Sequence, residues 1–587
     1  MLRSWTLATL WQQEFRAYSW AAFQRDLLAG LTVAAVALPL ALAFGVASGA
    51  TPAAGLVTAI LAGVIIGSLS GAPYQISGPT GAMTAVLVGI IQKHGLPGVW
   101  LACVLAGGIL LLLGLFKLGR IISFIPAPVI TGFTSGIALI IFIGQIDNFL
   151  GVQTAKADTS ALKLIQYGTQ PLPPVNGAAI LCAGIVMLIM VGLPCVKATA
   201  PLPAALIGIM LATAAAWIGQ WPVTVIGAIP ATIFLDQHLV LTPTSFAGIG
   251  DLIAPAGAIA ALGAIESLLA GTVAGRMTGI KMNSNQELIA QGVGNLILPF
   301  FGGVPATAAI ARISVGIKAG GATRLVSIIH SVALLGSALF LGGIIAHIPL
   351  AALAGVLMVT AWRMNEWHTL RFYLARRLKS PLVVLGTTLI ATVALDLTQA
   401  IVIGVLAQLL FFVSQITRLR INSAEVDWDR LRAAGHTPVQ EPAGIQVVYV
   451  SGPLFFGAAS QLGESLEAQR PARALILSLR GVPLLDASGL HLLEEIWHRQ
   501  LQQGGCLYLA GLQPPVEELL RRGGLVAAMG EDKLYWGSDQ AILAAATRLT
   551  DGTPCEGRPG HPWDAGEDQR LDEELPLGVV TLLEPSR

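Results

Sequence analysis

The sequence predicts a polytopic α-helical membrane protein followed by a cytoplasmic α/β domain, and three observations predict it. First, 54% of the 587 residues are hydrophobic and 11% are charged, where a soluble protein carries about 25% charged residues. Second, the 67 Asp, Glu, Lys and Arg are unevenly placed, 31 in residues 1–420 and 36 in residues 421–587. Third, no charged side chain occurs from Leu27 to Gln92, which a water-facing surface could not sustain. These numbers exclude a wholly soluble enzyme, a fibrous protein and a disordered scaffold. A net charge of +1 points to no nucleic-acid partner. The five cysteines include no CxxC pair and suggest neither a disulfide framework nor a zinc site, so no metal or cofactor is expected.

Residues 1–26 hold Trp5, Trp11, Glu14, Arg16 and Arg25 without a cleavable signal, and read as a cytoplasmic segment lying at the interface. Residues 27–418 form the membrane domain. Apolar runs broken by Pro, Gly or charge place fourteen spans near 27–47, 52–70, 80–92, 97–116, 128–146, 176–193, 201–218, 252–273, 288–301, 306–317, 323–345, 349–362, 380–396 and 398–417. Two of these, 80–92 and 306–317, are too short to cross as helices, since about 20 residues are needed for roughly 30 Å. With the N-terminus inside, Lys117, Arg120, Lys197, Arg276, Lys281, Lys318, Arg324 and the cluster from Arg363 to Lys379 fall in cytoplasmic loops. The outward loop at 219–251 contains Asp236 and Asp251 but no Lys or Arg. This is the positive-inside pattern, and it puts both termini in the cytoplasm. The 66 glycines recur inside spans (Gly30, Gly45, Gly63, Gly67, Gly107, Gly108) and indicate close helix packing.

The two short spans share a design. One opens Ser77-Gly78-Pro79-Thr80-Gly81, the other Gly303-Val304-Pro305-Ala306-Thr307. Each has an extended Gly–Pro entry followed by a small, polar first turn, as a half-helix start requires. Such a start leaves free N–H groups and roughly half a positive charge, so two facing starts make an anion site. Paired Gly/Pro-broken segments in two halves also mark an inverted-repeat architecture. The bland alternative is two Pro-kinked helices without a ligand. Arg312 counts against it, being the only cation between Leu288 and Ile317 and expensive there unless paired or hydrated. Counted from Ala306, Arg312 lies less than two turns into the half-helix, and its planar fork suits oxyanions. Glu266 is the only charge between Leu252 and Gly275. It reads as a protonatable coupling group or as a counter-charge for Arg312. His330 and His347 read as ordinary residues near span ends.

Ile76-Ser77-Gly78-Pro79-Thr80, the run Gly263 to Leu269, the run Asn283 to Leu288, and Phe301 to Thr307 together resemble the SulP anion transporters, across about residues 20–550. The resemblance implies seven-plus-seven inverted repeats, with a core domain of spans 1–4 and 8–11 moving against a gate of spans 5–7 and 12–14. It implies a homodimer in a bacterial-type inner membrane that carries a small inorganic or carboxylate anion between the starts of spans 3 and 10. The site expected on this basis is Ser77, Gly78, Thr80, Ala306, Thr307 and Arg312. Glu266 matches the span 8 acid proposed for proton coupling in plant sulfate carriers. At Ala274-Gly275-Arg276 the sequence lacks an Asp that similar bacterial sequences often carry, which weakens the case for sodium. Sulfate is the first expectation and a proton the expected coupling ion. Bicarbonate or C4-dicarboxylate transport, a passive channel, a nucleobase carrier and a sensor remain alternatives.

Residues 419–443 read as a linker. From 444 to 550, apolar strands at 445–450, 474–479 and 506–510 alternate with helical spacing at 458–469, 489–502 and 514–522, a small α/β domain. It resembles the STAS domain attached to these transporters, where a cytoplasmic partner would dock. Anti-sigma-factor antagonists share this domain and are phosphorylated at the matching Ser, so the resemblance makes Ser488, in the turn Leu484-Leu485-Asp486-Ala487-Ser488-Gly489, a candidate phosphosite with Asp486 beside it, although either residue also suits a helix cap. Residues 551–587, with nine acidic and three basic side chains, read as a disordered acidic tail.

Overall fold

The computed structural model describes residues 7–555, apart from 17, 120–125, 156, 158, 172, 197–198, 200–201, 231, 242–248, 396, 418, 437–439 and 468–470. The tail beyond 555, and the basic positions Arg120 and Lys197, lie outside the described residues. The chain divides into two units, 1–408 and 409–587.

In the first unit, α1 (Leu7–Phe15) precedes α2 (Trp20–Ala47), α3 (Pro52–Leu69), α4 (Gly81–Leu115), α5 (Ala127–Gly144), α6 (Ile146–Leu150), α7 (Ser160–Thr169), α8 (Gly177–Gly192) and α9 (Ala204–Ile218). The second half runs through α10 (Ile249–Thr278), α11 (Ser284–Ile297), α12 (Ile310–Lys318), α13 (Leu325–Ile345), α14 (Leu350–Met364), α15 (Trp367–Ala375), α16 (Lys379–Ala394) and α17 (Leu397–Ile416), the last of which runs past the end of this unit at Gln408. Every expected apolar run has its helix. Runs 80–92 and 97–116 share α4, which breaks at Gly95 (φ 66°, ψ −173°) ahead of Pro97. Among the described residues, seven helices are long and apolar enough to cross a membrane. The helix starts follow local chemistry: Thr51 caps α3 by accepting from Ala54 N–H with Pro52 next, and Asn283 caps α11 by accepting from Gln286 N–H.

Packing separates the helices as expected of a core and a gate. α4 lies against α10 and α11, and α2 and α3 against α13, while α5 packs on α14 and α16, and α8 on α9 and α14. Small residues allow the close approaches. A Cβ on Gly55 would stand 2.0 Å from the Ala41 carbonyl oxygen, and one on Gly63 would stand 2.0 Å from Ser331 Oγ. Gly108 departs from this pattern, because a Cβ there would meet nothing within 4 Å. At one end of the core, α1 is held by Glu14, whose carboxylate pairs with Arg324 at 2.9 Å, and by Trp11 Nε1, which donates to Ser68 O.

The second unit is a five-stranded sheet, ordered β3 (Arg420–Glu425), β4 (Ile445–Ser451), β5 (Ala474–Gly481), β6 (Cys506–Ala510), β7 (Leu534–Tyr535), with β3 antiparallel and the rest parallel. Two short strands in the first unit, β1 (Ser77–Gly78) and β2 (Thr307–Ala308), complete the numbering. Between the sheet strands run α18 (Trp428–Ala433), α19 (Phe456–Glu467), α20 (Ala487–Gln502), α21 (Pro514–Arg522) and α22 (Leu525–Met529), and α23 (Ser538–Asp551) follows β7. Leu493, Trp497, Val516 and Leu520 cover one face of the sheet, and Ala541, Ile542 and Ala545 cover the other. Two expectations change. The segment expected as a linker supplies β3 and α18; β3 is an exposed edge strand, so it lacks the apolar alternation that betrays a strand in sequence. Cys506 and Cys555, 49 residues apart, are joined as a disulfide with Cα atoms 5.5 Å apart, a pairing that no sequence spacing announced.

Candidate anion-binding site

The two Gly–Pro entries meet. β1 and β2 pair antiparallel, Ser77 opposite Ala308 and Gly78 opposite Thr307, directly ahead of α4 and α12. The half-helix starts are therefore held together at the middle of the core. One boundary differs from expectation: residues 303–306 are not helical, Thr307–Ala308 form β2, and α12 begins at Ile310, so Arg312 sits in the first turn instead of nearly two turns in. Thr80 is the N-cap of α4 and accepts from Met83 N–H at 3.4 Å. α12 has no side-chain cap, so its first N–H groups stay available.

The expected side chains gather here. Thr80 Oγ1 donates to Glu266 Oε2 at 2.9 Å, Thr307 Oγ1 donates to the same oxygen at 2.6 Å, and the two hydroxyls lie 3.1 Å apart. Arg312 is 1% exposed. Its Nη2 donates to Pro79 O at 2.9 Å, tying the α12 arm to the α4 arm, while Nε and Nη1 have no hydrogen-bond partner. Arg312 makes no hydrogen bond to Glu266, so the counter-charge reading lacks a direct contact. Gly78 leaves no room for a side chain beside the guanidinium, since a Cβ there would stand 2.1 Å from Arg312 Nη1.

Two expected residues are already engaged. Ser77 Oγ accepts from Gln291 Nε2 at 2.8 Å, and the backbone N–H of Ala306 donates to Asn295 Oδ1 at 2.8 Å. Gln291 and Asn295 are not among the residues expected from the sequence. Their signal was present: Glu287, Gln291 and Asn295 fall four residues apart, one polar stripe along α11, and all three are buried. His330 is fully buried with both ring nitrogens unpartnered, whereas His347 is exposed beyond the end of α13.

In the second unit, Asp486 caps α20 by accepting from Gly489 N–H at 2.9 Å, and its other oxygen accepts from Phe456 N–H at 3.1 Å. Ser488 is half-buried in the first turn of α20.

Comparison with known proteins agrees with this architecture. The sulfate permease family matches residues 23–387, and the STAS domain matches residues 436–541. The putative sulfate transporter YvdB of Bacillus subtilis is 36% identical over 541 residues, 89% of this chain and 97% of the relative. The bicarbonate transporter BicA of Picosynechococcus sp. is 30% identical over 552 residues, 90% of this chain and 96% of the relative. The solved structure of the murine solute carrier 26 family member A9 anion transporter, inward-facing, shares the fold with a TM-score of 0.80 at 19% identity, covering 93% of this chain and 95% of that one. The transmembrane domain of a cyanobacterial BicA gives a TM-score of 0.58 at 29% identity, covering 67% of this chain and 98% of that one. Paired half-helix starts, a core-and-gate bundle and a C-terminal STAS domain thus coincide with matches over most of the chain, and the chain belongs to the sulfate permease family of anion transporters, which are not enzymes.

Proposed function

We propose that the protein is a secondary active transporter of small oxyanions, with sulfate as its first substrate, coupled to protons and working by alternating access as a homodimer. Its home is a bacterial inner membrane, with both termini in the cytoplasm. The observation that carries this reading is the fully buried Arg312, whose Nε and Nη1 lack partners beside an uncapped helix start. A buried cation with free donors calls for an anion. The relative named a putative sulfate transporter supports sulfate.

The Thr80–Glu266–Thr307 group supplies a coupling device. With Glu266 ionised, both hydroxyl protons point at Oε2 and none remains for an anion. A proton on Glu266 turns the carboxyl into a donor, and the threonine O–H groups are released toward an incoming oxyanion. Proton and anion then enter together, so the proton cancels one of the two charges of sulfate and halves the work against an inside-negative potential. The core carries the site past the gate, and the proton leaves with the anion.

Uptake into proteoliposomes tests this. Labelled sulfate, bicarbonate and succinate are compared under an imposed inward proton gradient, with Arg312→Ala and Glu266→Gln. Expected is proton-stimulated uptake of one anion, abolished by Arg312→Ala. Glu266→Gln, which mimics the protonated carboxyl, keeps uptake but loses its proton dependence. Unchanged pH dependence in that variant would remove Glu266 from coupling, and voltage-driven flux of many anions would favour a passive channel. Bicarbonate is the second reading, supported by the full-length relative named a bicarbonate transporter.

A further inference from the structure

The β1–β2 pair contains four residues, too few to hold two helix starts in place by their own ladder. In an extended strand the backbone groups of alternate residues face opposite edges. On the 304–309 arm the odd positions face β1: Thr307 lies opposite Gly78, and Ala309 N–H donates to Ile76 O at 3.1 Å. The even positions face the other edge, where three buried side chains from three helices take the place of a strand. Val304 N–H donates to Thr58 Oγ1 of α3 at 2.7 Å, and Ala308 N–H donates to Ser267 Oγ of α10 at 3.2 Å. Between them, Asn295 of α11 does what a strand neighbour would do. Its Oδ1 accepts from Ala306 N–H at 2.8 Å and its Nδ2 donates to Ala306 O at 3.0 Å, a planar amide paired with a peptide. Asn295 is itself fixed, since Nδ2 also donates to Gln291 O and Cys103 Sγ lies 3.2 Å from the Asn295 carbonyl oxygen. One turn earlier on the same face, Gln291 Nε2 donates both to Ser77 Oγ on the β1 arm and to Glu287 Oε1. A single polar face of α11 therefore grips both arms.

The geometry points to Asn295 as the positioning residue of the anion site: its side-chain amide stands in for a missing third strand and sets where the β2 arm, Thr307 and the α12 start lie relative to Arg312 and the α4 start. This rests on the transport reading above. Asn295 does not touch the anion. It acts through Ala306, one residue from Thr307, whose hydroxyl meets Glu266. An arm that slackens by a fraction of an ångström loses the convergence of donors on one point, and affinity falls before the fold does.

The test is concentration-dependent uptake of sulfate, bicarbonate, succinate and chloride by full-length protein in proteoliposomes, for wild type, Asn295→Ala and Asn295→Asp. Asn295→Ala removes both bonds to Ala306. Expected is a rise of about tenfold or more in KM for the transported anion, with Vmax per reconstituted molecule within about threefold of wild type. Asn295→Asp keeps the acceptor for Ala306 N–H but sets a carboxylate oxygen against the Ala306 and Gln291 carbonyls, so its KM rises at least as far. A side chain that only stabilises the fold would lower the yield of active protein, and with it Vmax, at constant KM; that result overturns the positioning role. If Asn295→Ala does not reach the membrane folded, Asn295→Asp is judged by the same criterion, and an unchanged KM again overturns it. Wild-type protein that carries none of the four anions would refute the transport reading first and the positioning role with it. Wild-type uptake with unaltered KM in the variants refutes the positioning role alone.

Discussion

Gly78 stands out in the sequence beside Pro79, and Gly108 only as one of the glycines that recur inside spans; the structure gives the two opposite weights. A methyl at Gly78 would lie 2.1 Å from Arg312 Nη1 and 3.4 Å from Ala59 Cα, so the guanidinium must leave Pro79 O to make room. Gly78→Ala is therefore expected to reduce anion uptake tenfold or more, a loss of at least ~1.4 kcal/mol in the bound state, in protein that still folds. Gly108→Ala meets open space and should stay within about 0.5 kcal/mol of wild-type stability. Uptake and thermal unfolding of the two variants in detergent check both statements. The candidate residues themselves were legible because charge and Gly–Pro punctuation are rare in membrane sequence: Arg312, Glu266, Thr80 and Thr307 do converge. Which of them touch was not legible. Opposite charge suggested Glu266 with Arg312, but the carboxylate is taken by two hydroxyls and the guanidinium by a carbonyl. Facing partners depend on helix rotation, which spacing alone does not set.

Among elements, the half-helices were readable from length, yet the start of α12 was misplaced by four residues. Pro52 opens α3 as the rule for Pro in a first turn expects, whereas Pro305 lies outside any helix, two residues ahead of β2. The difference is competition: at 304–308 both edges of the chain find partners, so the extended form keeps its hydrogen bonds and the helix begins later. α1 teaches a related lesson. The sequence read it as an interfacial helix, and its ion pair with a residue 310 positions away could not be seen. Arg324 is 1% exposed on its side chain, and burial raises the pKa of Glu14 even though Arg324 pulls it down. Glu14→Ala leaves that guanidinium without its ionic partner, and the expected cost is about 3–5 kcal/mol, seen as a lower unfolding temperature of the full-length protein. In the STAS domain, Asp486→Ala removes a cap from α20 and an acceptor from Phe456 N–H. About 1–2 kcal/mol should be lost, and hydrogen exchange should quicken at the Gly489 and Phe456 amides of the intact chain.

At the scale of the whole molecule, charge distribution was the strongest signal, because burying a charge in hydrocarbon is costly enough to leave a mark over hundreds of residues. It separated the membrane unit from the α/β unit. It missed β3, which is polar and exposed, and it carried no trace of the Cys506–Cys555 pairing. Orientation rests on the same signal read finely, and it can be checked directly. Cys103 and Cys182 are buried, and Cys195 is exposed. With Cys195→Ser as background, Asp236→Cys and Arg371→Cys introduce thiols at two exposed positions on either side of the expected membrane. A membrane-impermeant maleimide applied to intact cells is expected to label Asp236→Cys and spare Arg371→Cys, with the pattern reversed in inverted vesicles. That outcome places the basic loops and the STAS domain in the cytoplasm, where the Glu266 proton would be delivered. The opposite pattern would turn the protein over, and inward proton coupling would then have to be rebuilt as export.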